Sequence, residues 1–258
     1  MPDAGSFPNT ARYLAPATAA ERLSRIHAGS TAEDRLADTL LSAFPGGTAL
    51  VSSFGADSAV LLHMVSRIAP ETPVLFLETE MLFPETLDYQ RELARLLGLG
   101  NVQVIRPDAE EIAAEDPQGR LNGADPDACC ALRKARPLAR ALAPFEAWIT
   151  GRKRAQAASR AGMALFEPEA GTGRIKVNPL ADWTAARLRA YRRDHALPPH
   201  PLEARGYPSI GCAPCTSPVA PGEDPRAGRW RGRAKTECGI HFDGRRWVRA
   251  AGRPGPGG

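Results

Sequence analysis

The sequence predicts an α/β fold with a doubly wound, mostly parallel sheet. Short apolar runs alternate along the chain with segments of helical periodicity, and this alternation is typical of parallel strands joined by crossover helices. With 258 residues, 43% of them hydrophobic, the chain is long enough for one substantial core and short for two full domains. From Leu197 onward Pro, Gly and Arg dominate and the apolar periodicity ends, which predicts loops and a mobile tail.

The first helix is predicted to begin after an irregular N-terminal segment. Ser30 and Glu33 have the S-x-x-E spacing of a capping box, in which each side chain bonds the other residue's backbone N–H. The helix behind them would place Leu36, Leu40 and Phe44 on one face. The P-G-G sequence that follows ends this helix.

Five strands and the helices between them are predicted in the rest of the body. The strands are expected at 48–54, 73–79, 102–107, 147–151 and 174–180. The helices are expected at 84–97, 128–143 and 183–195, together with an earlier one that places Val60, Leu61, Met64, Val65 and Ile68 at helical spacing.

The net charge of +4 is unevenly distributed. From Arg226 to the last residue there are nine Lys or Arg and two acidic residues, so the remainder carries about −3. A basic tail is often simply solvated, or binds nucleic acid. Here the basic residues lead directly towards Cys238, which equally fits a local role; they are Arg226, Arg229, Arg231, Arg233 and Lys235.

Cellular location and thiol chemistry are predicted together. The first residues lack the basic and apolar regions of a secretory signal, and no apolar run approaches the roughly 18 residues needed to span a bilayer. We therefore expect a cytoplasmic protein that does not enter a membrane, in which thiols stay reduced. Its odd count of five cysteines then favours metal binding or catalysis over disulfides.

The loop after the first predicted strand is a candidate anion site. Gly55 would allow a tight turn there, and Ser53, Ser58 and backbone amides at the following helix end could hold an anionic oxygen. An ordinary strand-to-helix turn capped by Asp57 or Ser58 is the competing interpretation. The loop is not a Walker A motif. It resembles the S-x-G-x-D-S loop of PP-loop enzymes, which bind the phosphates of adenosine-type nucleotides.

Four cysteines form a candidate metal centre. Cys129 and Cys130 are adjacent, and Cys212 and Cys215 have C-x-x-C spacing. Structural zinc is one interpretation, but adjacent helical side chains diverge by about 100°, which is awkward around one small ion. A [4Fe–4S] cluster offers four separate irons to divergent thiolates, and we favour it. Inert buried thiols beside a redox-active C-x-x-C are a third interpretation.

The fifth cysteine is a candidate nucleophile. Cys238 stands among charged, polar and glycine residues, which is unusual for a structural cysteine. Lys235, Arg233 and His241 would favour its thiolate, the nucleophilic form. The alternative is a tail cysteine without a role.

Together these residues resemble the assimilatory adenylyl-sulfate (APS) reductases of the bacterial iron–sulfur type. The matching segments span residues 53 to 241, most of the chain; they are SFGADS, LETEMLFPETL, DPDACCALRKARPLA, WITGRKRAQ, KVNPLADW, PSIGCAPCTSPVAPGEDPRAGRW and KTECGIH. The family's L-D-T-G-x-L segment is Leu77–Leu82 here, with glutamates in place of the aspartate and the glycine.

The resemblance implies a Rossmann-like sheet of the adenine-nucleotide PP-loop type and a complete reaction. Residues 1–225 would form the nucleotide-binding domain with the [4Fe–4S] cluster, and 226–258 a flexible basic segment carrying the nucleophile. The enzyme would cleave APS to sulfite and AMP with reduced thioredoxin as reductant, as a step of sulfate assimilation towards cysteine biosynthesis. Cys238 would attack the sulfur and form an S-sulfocysteine, with His241 as a proton carrier or as an orienting residue of the tail.

The same resemblance implies a set of substrate-binding residues. The loop after the first strand would bind the nucleotide through Ser53, Gly55, Asp57 and Ser58, and the cations would be Lys134, Arg152, Arg154, Arg226 and Arg229. Guanidinium and ammonium groups suit sulfate and phosphate oxygens and stabilise charge developing on the leaving phosphate.

Two other functions remain open at this point, as does a homo-oligomeric state. One is reduction of phosphoadenylyl sulfate (PAPS), whose substrate has an extra 3′-phosphate; the paired cysteines favour APS. The other is a PP-loop tRNA-thiolating protein, whose tail would bind RNA with steep salt dependence. A nucleic-acid-binding module without enzymatic activity is disfavoured because 6% of residues are aromatic and no stacking run is visible.

Overall fold

A six-stranded sheet organises the computed structural model, which describes residues 11–233, 235 and 237. Its strand order is β3-β2-β1-β4-β6-β5, and all neighbours are parallel except β5 and β6. The strands are β1 (Thr48–Ser52), β2 (Val74–Leu77), β3 (Val102–Ile105), β4 (Ala147–Ile149), β5 (Phe166–Pro168) and β6 (Ile175–Val177). The doubly wound, mostly parallel α/β fold predicted from the sequence is confirmed.

Nine α-helices occur in the described residues. They are α1 (Pro16–Ile26), α2 (Ala32–Ala37), α3 (Ser58–Ile68), α4 (Pro84–Leu96), α5 (Ala109–Glu115), α6 (Leu121–Ala124), α7 (Pro126–Cys130), α8 (Arg136–Ala141) and α9 (Ala185–Asp194). Of the helices in this part of the chain, not one combines the length and apolar character that crossing a membrane would require.

Both faces of the sheet are buried at its central strands. Because successive side chains of a strand point to opposite faces, neighbouring residues of β1 enter different apolar clusters. Leu50 joins the larger cluster, beneath α1, α3 and α9, and Ala49 joins a smaller one with Leu138 and Leu142 at and beyond α8. Burial on both sides explains why β1, β2 and β4 have largely continuous apolar sequences instead of alternating ones. The edge strand β3 is more exposed, and its sequence includes Gln103.

The strand order places a crevice at the centre of the sheet. β1 is followed in space by β2 and β3 on one side and by β4 on the other, so the winding direction reverses between β1 and β4. Loops that leave the carboxyl ends of two such strands diverge and open a crevice, which is where open α/β sheets bind ligands. The loop after β1 is the one that the sequence singled out.

The N-terminal part of the chain differs from the prediction in two ways. A regular helix, α1, occupies the segment expected to be irregular, and its Ala19, Ala20 and Leu23 are buried. The capping box uses Thr31 and Asp34 instead of Ser30 and Glu33: Asp34 N donates to Thr31 Oγ1 (3.1 Å), and Thr31 N donates to Asp34 Oδ2 (3.0 Å). The capping box therefore lies one position later than predicted, at a pair of residues with equivalent donors and acceptors.

The long helix expected at 128–143 is interrupted. α7 passes into a π-helical turn, Ala131–Ala135, in which Arg136 N donates to Ala131 O, and α8 then begins. Pro137 lies in the first turn of α8. A proline is tolerated there because the backbone N–H groups of a first turn have no partner within the helix. The sequence also did not predict β5, a three-residue edge strand that contains a proline.

Part of the region after Leu197 packs against the body of the protein. Leu202, Ile210 and Trp230 are buried, and Thr216 and Arg229 form an antiparallel bridge. Gly228 makes this pairing close, because a Cβ at that position would lie 2.0 Å from the carbonyl oxygen of Ser217. Of the predicted flexible segment 226–258, the structure describes residues 226–233, 235 and 237, and the mobility of the segment stays a prediction.

His200 makes the stability of this fold pH-dependent. The ring is fully buried; Leu202 N donates to its Nδ1 (3.2 Å), so Nε2 carries the proton and lies 3.1 Å from Thr86 Oγ1. Burial lowers the pKa of His200 from its usual 6.5 to about 4. The folded state thus resists protonation that the unfolded chain accepts, so the stabilisation is complete above about pH 6.5 and is lost as pH falls towards 4.

We expect His200→Asn to flatten the acid side of the stability profile. The wild-type free energy of unfolding, from urea titrations between pH 7 and pH 4, should fall by up to about 3 kcal/mol more than that of the variant. The variant should be less stable at pH 7, and the two curves should converge near pH 4. Parallel curves across this range would contradict the assignment.

Candidate active site

A cavity of about 520 Å³ opens at the carboxyl ends of β1 and β4. The loop after β1 lines one side with Ser53, Gly55, Asp57 and Ser58, which are all the predicted nucleotide-binding residues of that loop. Other walls carry positive charge; the cavity's cations include Arg152, Lys153, Arg160, Arg192, Arg226 and Arg229. The cavity therefore has the position of a nucleotide site and the charge of an anion site.

The turn in the β1 loop depends on Phe54, not on Gly55 as predicted. Phe54 has a φ of +48°, in the left-handed region. Its ring is fully buried, edge-on to Phe76 with centroids 5.2 Å apart, and its N–H donates to Ser52 Oγ (3.1 Å). A Cβ on Gly55 would meet the Ile210 carbonyl oxygen at 3.5 Å, an ordinary contact. Core packing of Phe54 thus holds the loop in its turn.

Several cations of the cavity pair with nearby carboxylates. Lys153 Nζ donates to Asp57 Oδ2 (2.8 Å). Burial lowers the pKa of Lys153, and the Asp57 carboxylate opposes that shift. Asp57, which was predicted to cap the following helix or bind the nucleotide, therefore serves first to hold an ammonium group at the cavity wall; its side chain makes no cap bond to α3.

Arg152 is held on the side of the cavity formed by β4 and β6. Its Nη2 donates to Asn178 Oδ1 (3.0 Å) and to the Glu167 carboxylate, and its Nε donates to Thr150 Oγ1 (3.3 Å). Burial lowers its pKa, and Glu167 counteracts this. Arg154, by contrast, is not among the lining residues of the cavity; its Nε donates to Met163 O (2.8 Å).

The segment after the C-x-x-C pair brings two further predicted cations to the cavity. Arg226 and Arg229 both line it. Arg229 Nη1 donates to Ile210 O (3.0 Å), and its guanidinium lies 4.5 Å from the ring centroid of Trp230. The buried indole and the carbonyl therefore orient a guanidinium that the sequence alone placed in a tail.

The four paired cysteines lie in two neighbouring segments. Cys129 and Cys130 end α7, and Cys212 directly precedes a short 3-10 turn, Ala213–Cys215, that ends at the second cysteine of the other pair. Cys212 bridges to Leu82 of the loop after β2, and its Sγ lies 3.1 Å from Thr79 Oγ1. Cys129, Cys130 and Cys212 are buried, and Cys215 is half-buried.

The thiols interact electrostatically. Burial raises the pKa of Cys129 to about 12, and the neighbouring thiols of Cys130, Cys212 and Cys215 contribute in the same direction. Burial also raises the pKa of Cys215, which Lys134 opposes. Cys129 and Cys215 thus favour the protonated form without a positive partner. Four thiols gathered in this way fit a group that supplies positive charge to several thiolates. Within residues 11–233, 235 and 237, no three or more His, Cys, Asp or Glu side chains converge on a position for one metal ion.

The loop after β2 is tied to the cysteine helix, a connection that the sequence did not reveal. Glu80, where the resembled motif has glycine, has a φ of +60°, and its N–H donates to Glu78 Oε1 (2.7 Å). Arg133 Nη1 donates to Thr79 O (3.2 Å) and lies 3.3 Å from Glu80 Oε2, while Arg133 Nη2 pairs with buried Asp116 (3.0 Å). The substituted glutamate thus keeps the conformation that glycine would adopt.

The sequence also did not predict an ion pair in the cavity. Glu237, the residue before the candidate nucleophile, pairs with Arg160 through Oε1–Nε (2.8 Å) and Oε2–Nη2 (2.6 Å). The only signal in the sequence was the position of Glu237 beside Cys238. The predicted catalytic residues Cys238 and His241 lie outside the described residues.

Comparisons with known proteins agree with one another. Residues 47–218 match the model of the phosphoadenosine phosphosulfate reductase domain. The chain is 57% identical over 199 residues to an adenosine 5′-phosphosulfate reductase of Chelativorans sp. (strain BNC1), a match covering 77% of this chain and 80% of that one. It is 42% identical over 234 residues to a phosphoadenosine 5′-phosphosulfate reductase of Gloeobacter violaceus, covering 88% and 97%.

Among solved structures, the phosphoadenylyl-sulfate reductase of Candida auris, in a phosphate complex, superposes with a TM-score of 0.66 at 27% sequence identity. The superposition covers 78% of this chain and 97% of that one. The described sheet thus has the fold of that reductase.

Proposed function

The chain belongs to the phosphoadenosine phosphosulfate reductase domain family, and we propose that it reduces APS to sulfite and AMP with thioredoxin as the electron donor, in sulfate assimilation. The observation that carries the proposal is the cationic cavity at the carboxyl ends of β1 and β4, beside the four paired cysteines. Its cations match the sulfate and phosphate oxygens of such a substrate. The 57% identity to a relative named for this activity supports the same substrate class.

Binding comes first in the proposed reaction. Ser53, Ser58 and the amides at the start of α3 receive the nucleotide's anionic oxygens, as the positive end of a helix favours. Arg152, Lys153, Arg226 and Arg229 are preorganised by carboxylates, carbonyls and an aromatic ring, so little reorganisation is needed when the substrate arrives.

The chemical step is a nucleophilic substitution at sulfur. The Cys238 thiolate forms a bond to the sulfur of APS, the bond between that sulfur and the phosphate oxygen breaks, and AMP departs with the electron pair. The product on the enzyme is an S-sulfocysteine. The cations near the phosphate stabilise the charge that develops on the leaving group.

Thioredoxin completes the cycle. One of its thiolates attacks the Cys238 sulfur, expels sulfite and forms a mixed disulfide. Its second thiol then displaces Cys238, so thioredoxin leaves oxidised and the enzyme thiol is restored. The two electrons that reduce sulfate to sulfite come from the dithiol.

The four paired cysteines would hold a [4Fe–4S] cluster. Four thiols within mutual electrostatic range, three of them buried and that of Cys215 half-buried, suit a multi-iron group, and Arg133 and Lys134 lie near them. Bound there, the cluster would supply positive iron centres that neutralise the thiolates and join α7 to the C-x-x-C turn.

Reduction of PAPS is the second candidate, because the Gloeobacter violaceus relative carries that name at 42% identity. The higher identity to a relative named for APS, together with both cysteine pairs, favours APS. The two substrates differ by one 3′-phosphate, so a comparison of the same enzyme preparation on both distinguishes them.

The principal test of the function concerns Cys238. Wild-type protein mixed with APS in the absence of thioredoxin should gain one sulfite-derived group, detected by intact-mass spectrometry and located on Cys238 by peptide mapping. Reduced thioredoxin should remove it. Cys238→Ser should bind AMP normally but form neither adduct nor sulfite, since a serine hydroxyl is scarcely ionised at neutral pH. An adduct on another cysteine, or turnover by the serine variant, would overturn the mechanism.

The cluster has its own test. Protein purified without oxygen, from cells with adequate iron, should contain about four irons and about four acid-labile sulfides per chain. Cys129→Ser and Cys212→Ser should lose this content, whereas the matched Cys238→Ser should keep it. Stoichiometric zinc without sulfide in the wild type would contradict the proposal.

Substrate preference is tested by steady-state kinetics. We expect kcat/KM for APS to exceed that for PAPS by at least about tenfold, equivalent to about 1.4 kcal/mol in transition-state binding. Equal values, or a preference for PAPS, would select the second candidate.

A further inference from the structure

Glu237 lies inside the cavity in a two-point contact with Arg160. Its Oε1 is 2.8 Å from Arg160 Nε and its Oε2 is 2.6 Å from Nη2. This is the paired arrangement in which a planar guanidinium binds a carboxylate most strongly and with defined orientation. Both side chains are partly buried, 24% exposed for Glu237 and 12% for Arg160, so solvent screens the pair less than a surface pair.

Other groups fix the two partners. Arg160 Nη1 donates to Gln156 Oε1 (2.6 Å), which sets the guanidinium in place at the end of the 3-10 turn Ala158–Arg160. Arg226 Nη2 is 3.5 Å from Glu237 Oε2, and Ser159 Oγ is 3.4 Å from Oε1. The carboxylate thus rests in a pocket built by side chains from two separate parts of the chain.

Glu237 differs from the other carboxylates that pair with cations of the cavity. Asp57, Glu167 and Glu203 belong to the β1 loop, to β5 and to the 3-10 turn before the C-x-x-C pair. Glu237 immediately precedes Cys238 in the sequence. Since consecutive Cα atoms are about 3.8 Å apart, fixing Glu237 also restricts where the backbone of Cys238 can be.

We propose that Glu237 is a positioning residue for the reaction: its carboxylate, bound by Arg160, holds the backbone before Cys238 at the cavity so that the thiolate meets the bound substrate. The inference rests on the proposed function, in which Cys238 is the nucleophile. Glu237 itself does not touch the reacting atoms. The contact raises the fraction of enzyme–substrate complexes in which the Cys238 thiolate is correctly placed for attack. Reaction rates depend steeply on such placement.

Glu237 is expected to assist the placement of the Cys238 thiolate, but not nucleotide binding or the acidity of the thiol. Loss of the Glu237 charge leaves Arg160 and Arg226 available to an anion, so nucleotide affinity should be kept or increased. It also removes a negative charge next to Cys238, which favours the thiolate. A positioning role therefore predicts slower attack on APS by a thiol whose intrinsic reactivity is undiminished.

The experiment measures the single-turnover rate of adduct formation on Cys238 when the cluster-containing enzyme is mixed with APS without thioredoxin. Glu237→Gln, which keeps the shape of the side chain but not its charge, should lower this rate by at least about tenfold. Glu237→Asp should recover part of it. Calorimetric titration with AMP should give a dissociation constant equal to that of the wild type or smaller, and alkylation of Cys238 by iodoacetamide should be at least as fast.

Two further variants complete the test. Arg160→Ala should slow adduct formation comparably, and the double variant with Glu237→Gln should be no slower than the slower single variant, because both remove the same anchor. Glu85→Gln is the matched control: Glu85 also pairs with an arginine, Arg205, but does not line the cavity. It should react as the wild type does.

Each failure has a distinct signature. A wild-type enzyme that forms no adduct on Cys238 would overturn the proposed function and this inference with it. An active wild type whose Glu237→Gln variant reacts at the same rate would overturn the inference alone. A variant that loses AMP affinity or iodoacetamide reactivity in proportion to its rate would show a general disturbance of the site and would equally overturn it.

Discussion

The constraint on which this site depends is the need to keep several cations charged in a partly buried cavity. Desolvation disfavours a buried ammonium or guanidinium unless an opposite charge lies close by. The chain meets this need with dedicated carboxylates: Asp57 beside Lys153, Glu167 beside Arg152 and Glu203 beside Arg192. Paired in this way, the cations keep fixed orientations without substrate, and a dianionic ligand meets donors that are already in place.

The cysteine centre is organised by a second set of contacts on the same side of the molecule. Arg133, buried among Asp116, Glu80 and the carbonyl of Thr79, joins the helix of Cys129 and Cys130 to the loop after β2. That loop in turn contacts the segment of the other cysteine pair, since Ala213 N donates to Met81 O (2.7 Å). The two cysteine pairs, which are distant in sequence, therefore contact the same loop. A change in the conformation of this loop would alter the positions of both pairs.

Sequence patterns predicted those parts of the fold that depend on the local sequence alone. The five parallel strands are short, mostly apolar runs between helical segments, so they were predicted, each a little too long. The loop at the end of β1 was placed correctly for the same reason. Features that depend on distant partners were not predictable. The pairing of Arg160 with Glu237, and that of Arg133 with Asp116, join residues whose types alone do not identify each other. Phe54 takes the strained turn beside a glycine because its ring has a place in the core.

The π-helical turn at Ala131–Ala135 has a consequence for how this segment can vary. A π turn amounts to one residue inserted in an α-helix, and here it lies between the Cys129–Cys130 pair and α8, whose Leu138 packs under the sheet. Deleting one residue would restore regular helix but rotate one end against the other by about 100°. Either the cysteines or Leu138 would then face the wrong way. The length of this segment is therefore under stricter constraint than the identity of its exposed residues, and insertions or deletions in it should be tolerated far less than substitutions.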